Sequence, residues 1–382
     1  MFHHGGNKMN KFIESILLPS NVPTGFARRI IPHIAYNSVD ISNDLANYLI
    51  SIDYTDILSG YADDLQLNLE DKDGLWQSAW FPEMGATLEA VIENRYWDSP
   101  TDTPKHVQLG IFEIDEIECR SMPSVVTIKS ISVPNDTTLR GVAHNRAWEK
   151  VSIYKIVEDI AKAANLEVVY NAPENPNIER VEQVEQSDLS FLKKLCEDNG
   201  LALKISDKQI IVFDEVELEK AEPSFLFCKN DTVIAEIKAA AEANNEMLKP
   251  IYQTTGWSFS SAIRDTYKSC RVEYQEGQKK EKISGTFVDP NKKTGKVLVV
   301  SKQVKTVAEA ETLAKKELRK KNSEEVKGKL SLQGRIEYAA GLTCEIKGYG
   351  VFDGKYLITQ ASHKIGGGYT TELDIRRCLN GF

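Results

Sequence analysis

No two of the six cysteines, Cys119, Cys196, Cys228, Cys270, Cys344 and Cys378, stand two residues apart, so the chain offers neither a zinc knuckle nor a CxxC redox pair. A chain of 382 residues needs no disulfide staples to hold a core, and the six read as reduced core thiols. Long apolar runs are missing as well. The one N-terminal stretch, Phe12 to Leu18, is interrupted by Glu14 and stopped by Pro19, too short for a signal peptide or a membrane span. Excess positive charge is absent: 47 Lys and Arg face 56 Asp and Glu, a net charge of −9. A surface of that sign repels phosphate backbones, which disfavours nucleic-acid binding as the main task. These absences imply a folded soluble protein, assembled in the cytoplasm and not inserting into membranes by itself.

Signatures of catalysis are equally scarce. Thr294-Gly295-Lys296 is the nearest approach to a phosphate loop, but Pro290 stands where the first glycine belongs and Val297 where Ser or Thr would meet magnesium. Gly366-Gly367-Gly368 has no helix after it to hold an anion and reads as a turn. Asp63 and Asp64 are adjacent, yet neighbouring strand residues point to opposite faces and cannot share a substrate. His33, His106, His144 and His363 are isolated, with no H-E-x-x-H spacing, and no serine sits in a G-x-S-x-G elbow. Lys315, Lys316, Arg319, Lys320 and Lys321 interleave with Glu311, Glu317, Glu324 and Glu325, as on a solvated helix or a rim contact. Trp76, Trp80 and Trp97 could form a sugar platform, although three tryptophans between strands more often close a barrel end or make an interface. The expected set of catalytic, cofactor-binding and metal-binding residues is therefore empty, and no cofactor is expected.

What is present is ordinary globular composition, 41% hydrophobic and 27% charged, over a length that calls for several packed units. Residues 1–27, with His3, His4, Gly5 and Gly6, read as a loose N-terminal arm. From Arg28 the pattern alternates with period two, best at Leu65, Leu67 and Leu69, and continues through Gly110, Phe112, Ile114 and Ile117. Helical spacing then takes over at Ile153, Ile156, Val157 and Ile160, stopped by Asn165, and again over Asp188 to Asp198 with Gly200 beyond. Strands at 202–205 and 209–213 flank a Ser-Asp-Lys turn, and 231–248 is an alanine-rich helix. Strands return at 270–274, 282–287 and 296–300. Thr306 and Glu309 form a capping box for a charged helix to about Lys321. A glycine turn and a strand from Tyr369 to Arg377 end the chain.

The two β regions echo one another. Alternating leucines, then Gly85-Ala86-Thr87-Leu88-Glu89, then Gly110-Ile111-Phe112-Glu113-Ile114 are matched by Leu330 and Leu332, then Gly341-Leu342-Thr343-Cys344-Glu345, then Gly354-Lys355-Tyr356-Leu357-Ile358. The expected fold is α+β, predominantly β, with two small β-barrels flanking an insert. The divisions fall at 28–149 for the first barrel, 150–220 for an α+β insert, 221–256 for a connecting helical segment and 257–382 for the second barrel.

Ile52-Asp53-Tyr54-Thr55-Asp56, Asp63-Asp64-Leu65 and Leu69-Glu70-Asp71, leading to Trp76, Trp80, Pro82 and Gly85, resemble the phage late control gene D proteins, the baseplate hubs of contractile tails. That family is similar to the N-terminal half of type VI secretion spike proteins. Val184 to Leu192, Tyr267 to Tyr274, Gly354-Lys355-Tyr356 and His363 extend the likeness over nearly the whole chain from residue 28, with Cys228 to Gly256 fitting least. The resemblance implies two tube-like barrels per chain and a homotrimer, whose pseudo-sixfold ring stacks on a sixfold tail tube and presents threefold symmetry to a spike. It implies a non-enzymatic structural hub that meets the tube or tube-initiator protein, a separate spike protein and other baseplate proteins. Any DNA passes through its channel only, along walls that the net charge leads one to expect acidic. The alternatives are a cell-wall-directed hydrolase or a glycan-binding component of the tail tip.

Overall fold

The computed structural model of the chain describes residues 27–132, 139–262, 266–275 and 282–381. The N-terminal arm, its Phe12–Leu18 patch and the lysine-rich tip at 276–281 lie almost wholly outside them. The chain is predominantly β with six α-helices and one short 3-10 helix, Gly350–Phe352, among the described residues. The first β region contains β1 (Arg29–Tyr36), β2 (Val39–Asp40), a short helix α1 (Ser42–Leu45), β3 (Leu49–Ile57), β4 (Asp64–Glu70), β5 (Thr87–Arg95), β6 (Lys105–Arg120) and β7 (Val125–Ile131). The alternation at Leu65, Leu67 and Leu69 turns those side chains into a core with Ile52, Leu88, Phe112 and Ile128, while Gln66 and Asn68 face outward.

The insert follows as β8 (Ala143–Ser152), α2 (Ile153–Ala163), β9 (Glu167–Asn171), β10 (Asn177–Ser187), α3 (Asp188–Asp198), β11 (Ala202–Ser206), β12 (Gln209–Phe213) and α4 (Glu215–Lys220). Both longer helices start at serine caps: Ser152 accepts from the Lys155 N–H and Ser187 from the Ser190 N–H. Their apolar stripes, with Ile156, Val157 and Ile160 on one and Phe191, Leu192 and Leu195 on the other, meet over Ile210 and Val212. Asp207 and Lys208, both at positive φ, make the tight β11–β12 turn.

Next come β13 (Phe225–Cys228), α5 (Asp231–Asn244), β14 (Ile251–Gln253) and β15 (Gly256–Ser261). Asn245, at φ 55°, ends α5 in the left-handed conformation. The strands expected near 270–300 are β16 (Tyr267–Gln275), β17 (Lys282–Val288) and β18 (Lys296–Val300), and they form a separate three-stranded sheet. Against it lies α6 (Val307–Asn322), capped by Thr306, while the Glu309 carboxylate reaches back to the Lys305 N–H. Finally β19 (Val326–Gln333), β20 (Thr343–Lys347), β21 (Gly354–Ile365) and β22 (Tyr369–Arg377) return to the large sheet.

Among the described residues that sheet has fourteen strands, and it unites both β regions because β3 pairs antiparallel with β21. No strand pairing closes either region into a barrel among the described residues. The echo in the sequence is an identity of pairing. The order β3–β4–β7–β6–β5 in the first region is repeated as β15–β19–β22–β21–β20 in the second. The registers agree residue for residue: Ala90 opposes Gly110 as Ile346 opposes Gly354, and Leu88 opposes Phe112 as Cys344 opposes Tyr356. Leu67 opposes Ile128 as Leu330 opposes Leu373. Even the irregularity after Ile114 in β6 recurs after Ile358 in β21. The repeats part beyond β5 and β20, where β1 adds antiparallel and β13 parallel. In the second repeat, the hairpin equivalent to β3–β4 opens to admit β16, β17, β18 and α6.

Gly285 in β17 lets that inserted sheet approach α6. A Cβ there would lie 2.5 Å from the Glu311 nitrogen and 2.7 Å from the Ala310 Cβ. Gly285→Ala should cost about 1–3 kcal/mol through forced separation of strand and helix. A urea midpoint equal to that of the unsubstituted protein would show that α6 yields freely.

Candidate functional site: a three-way junction and open strand edges

The residues weighed for chemistry scatter over the fold. Thr294-Gly295-Lys296 leads from a turn into β18, and Gly366-Gly367-Gly368 forms the β21–β22 turn. Trp76 and Trp97 are buried in the first core and Trp80 is 41% exposed. The Trp76 and Trp80 rings meet edge to face at 78°, so they do not present the coplanar surface a sugar would stack on. Two of the histidines expected to stand alone are brought together. Across β1, β5 and β6, His33 Nε2 lies 2.9 Å and His106 Nε2 3.7 Å from the same oxygen of buried Glu93, whose other oxygen accepts from Arg95. His144 lies 3.9 Å from buried Asp188, which also takes hydrogen bonds from Arg146 and Gln183. Among the described residues no group of three or more His, Cys, Asp or Glu could hold a metal ion, and no helix is long and apolar enough to cross a membrane.

His363, on β21, is enclosed. Its Nε2–H donates to the Tyr338 carbonyl at 3.0 Å, which leaves the single lone pair of Nδ1 to accept from the Tyr369 hydroxyl at 2.8 Å, with the Thr371 hydroxyl also close at 3.2 Å. Burial lowers its pKa to about 4, so the ring is neutral at pH 7. It holds β21 and β22 against the 336–340 turn.

The basic run on α6 faces the insert. Lys316 donates to the Asn199 carbonyl at 2.9 Å, Lys320 pairs with Glu197 at 3.0 Å and Arg319 with Glu219 at 2.7 Å. An open cleft of about 840 Å³ between α3, α4 and α6 carries these charges in both signs. Lys316 and Arg319 thus serve internal docking, while Lys315, Lys320 and Lys321 are exposed, as on a solvated face or a rim contact.

The polar centre of the molecule is where the two repeats and the insert meet. Lys204 of β11 reaches Asp56 of β3 and Asp63 ahead of β4, the latter at 3.0 Å, and donates to the Ile57 carbonyl at 3.0 Å. Asp56 also accepts from the Ala340 N–H of the second repeat at 2.8 Å, and Asp63 from the Ile57 N–H at 2.9 Å. One ammonium and two carboxylates therefore tie three parts of the chain together, over an apolar floor of Leu58, Ala202, Phe213, Ala340 and Leu357. Burial pushes the Asp63 carboxyl up to about 6, with Lys204 opposing and Asp56 adding to the rise. Burial also works against the Lys204 ammonium, yet the two carboxylates hold its pKa above the ordinary lysine value. A second buried network joins Arg376 of β22 to Glu215 and Glu219 of α4. Asp56 and Asp63 stood in the sequence segments that carried the resemblance, whereas Lys204, Glu219 and Arg376 gave no signal, since their partners lie between 100 and 161 residues away.

This is a structural junction, and its fold has counterparts among tail proteins. The structure of a tail protein from Neisseria meningitidis MC58 matches with a TM-score of 0.66 at 12% identity, over 91% of this chain and 96% of that one. A component of the type VI secretion system of E. coli, itself described as structurally similar to the T4 tail proteins gp27 and gp5, matches with a TM-score of 0.53 at 13% identity, over 87% of this chain and 74% of that one. In sequence, residues 131–369 match the family described as phage tail baseplate hub (GPD), and the chain belongs to that family. A protein of Escherichia phage 186 described as a probable baseplate hub protein is 28% identical over 179 residues, 47% of this chain and 43% of the relative, so the match spans less than half of that relative.

Two outcomes are expected. Lys204→Met, which strands two buried carboxylates, should lower stability at pH 7 by about 3–5 kcal/mol in urea unfolding. A loss below about 1 kcal/mol would mean that water reaches the junction. For His363, the folded pKa lies below the unfolded one, so its contribution is complete above about pH 6.5 and is lost as pH falls toward about 4. Asp63, raised on folding, works in the opposite sense between about 4 and 6. The difference between His363→Gln and the unsubstituted protein should therefore shrink by about 2 kcal/mol from pH 7 to pH 5. Parallel pH profiles would contradict a neutral, buried His363.

Proposed function

We propose that this chain is the structural hub of a contractile phage tail or bacteriocin-like particle. In the virion baseplate, three copies join a sixfold tube to a threefold spike, and the chain itself catalyses no reaction. The observation that carries this reading is the register-for-register repetition of five strands within one chain. A part that meets six identical tube subunits with three chains must offer each subunit a like surface, and a duplicated β unit does so. On this reading residues 28–149 and 257–382 supply the two tube-like units, 150–220 the insert, which draws in β8 from Ala143, and 221–256 the connection. Each open repeat would become part of a closed wall only on assembly, with any DNA passing inside. Family membership and the tail-protein fold support the placement.

The partners follow from the same reading: further copies of the chain, a tube or tube-initiator protein, a spike and neighbouring baseplate proteins. The mass of the protein in solution, alone and with the spike protein of the same particle, tests it. A trimer that forms or tightens with the spike is the expected result. A chain that remains monomeric in both conditions, or labels the tube shaft and not its tip in purified particles, contradicts it.

A further inference from the structure

The junction of Lys204, Asp56 and Asp63 puts a nucleophile, an electrophile and a proton carrier in contact inside the protein. Each comes from a different segment: Asp56 lies near the end of β3, Lys204 in the middle of β11 and Asp63 just ahead of β4. Only 12% of the Lys204 side chain, 12% of Asp56 and 2% of Asp63 is exposed. Lys204 Nζ touches Asp56 Oδ1 and lies 3.0 Å from Asp63 Oδ1. The second Asp56 oxygen, Oδ2, accepts from the Ala340 N–H at 2.8 Å.

Two further titratable groups face this trio. Burial holds the Tyr54 hydroxyl, two residues before Asp56 on β3, well above its ordinary pKa, and both carboxylates add to the rise. Its ring stacks at 5.8 Å on His363 of β21, which is neutral at pH 7. With Tyr54 and His363 neutral, one ammonium and two carboxylates leave the site a net charge of −1. Burial favours uptake of one proton, and Asp63 is the carboxyl it raises, to about 6. Both carboxylates together sustain the Lys204 ammonium; with Asp63 protonated, only Asp56 does so. Passing one proton from Lys204 to Asp56 Oδ1 then leaves an amine beside two carboxylic acids, a set without charge that an apolar surround tolerates better than ions.

We propose that the chain joins Lys204 to Asp56 by an amide bond, a self-modification that ties the insert covalently to the first β region. Lys204 Nζ attacks Cγ of Asp56, and the C=O electron pair moves onto Oδ2, where the Ala340 N–H donates. Asp63 takes a proton from the nitrogen and gives one to Oδ1, which leaves as water. Amine and carboxylic acid become amide and water; nothing is oxidised or reduced, and Asp63 ends as it began. Strands that fix the groups in hydrogen-bond contact supply the encounter that a free amine and acid would have to make. The event happens once within one chain, turns over no outside substrate, and is independent of the partners assigned to the hub.

The test is the intact mass of the full-length protein, read under denaturing conditions after prolonged incubation of the folded chain at pH 6. The expected mass is that of the sequence less one water, with Lys204 resistant to trypsin and recovered with Asp56 in one branched peptide. Lys204→Arg and Asp56→Ala should keep the full mass, as should the unsubstituted chain incubated in urea. Asp63→Asn, which retains a polar side chain but carries no proton between atoms, should react at least about tenfold more slowly. The rate should also fall about tenfold for each pH unit above about 7, as Asp63 ionises. Full sequence mass in the folded, unsubstituted protein overturns the proposal whatever the variants do, and leaves the hub reading standing. A lost water that maps to a succinimide at Asp73-Gly74, with Lys204 still cut by trypsin, overturns it as well. An unchanged rate in folded Asp63→Asn overturns the proton-carrying step.

Discussion

One hydrogen-bonded seam, between β3 and β21, governs the architecture. A strand edge leaves a row of N–H and C=O groups that must be paired, hydrated or covered, and here the edge of one repeat is satisfied by a strand of the other. Because β21 serves β20, β22 and β3 at once, it cannot shift register without disturbing both repeats. The insert is then fastened across the seam. Lys204 brings β11 to Asp56 on β3 itself, whose second oxygen holds the Ala340 N–H from the far side.

Buried charge at such a place is a poor source of net stability, since desolvation offsets most of the attraction. Its effect is directional: an apolar contact tolerates sliding, whereas an ammonium shared by two carboxylates and a carbonyl admits one arrangement. The same holds for Arg376 with Glu215 and Glu219. Two inserted units, 143–220 between the repeats and 267–322 inside the second, are thereby held against each other and against the sheet. The placement of the second is informative. It enters at the equivalent of the β3–β4 hairpin, where a loop can grow without interrupting the ladder on either side.

How much of this was legible beforehand depended on range. Helices α2, α3 and α6 were readable to within a residue or two, because serine or threonine caps and apolar stripes are local signals. The alternating leucines marked β4 and β19, and the G-x-T-x-E echo marked β5 and β20 in the right order. The segregation of β16 to β18 into their own sheet was not readable, since their alternation looks like that of any strand and the choice of partner is made by α6 and Gly285. Nor was the meeting of His33 and His106 on Glu93, which arises from the β1–β5–β6 register.

By itself, the amino-acid order determined the periods, the caps, the turns and the existence of a repeated pattern, all set by residues within a few positions of one another. Tertiary structure alone decided which edges are paired and which remain open, and which distant charges share a buried space. Those outcomes depend on contacts between segments tens to hundreds of residues apart, whose pairing energy exists only once the intervening chain has folded.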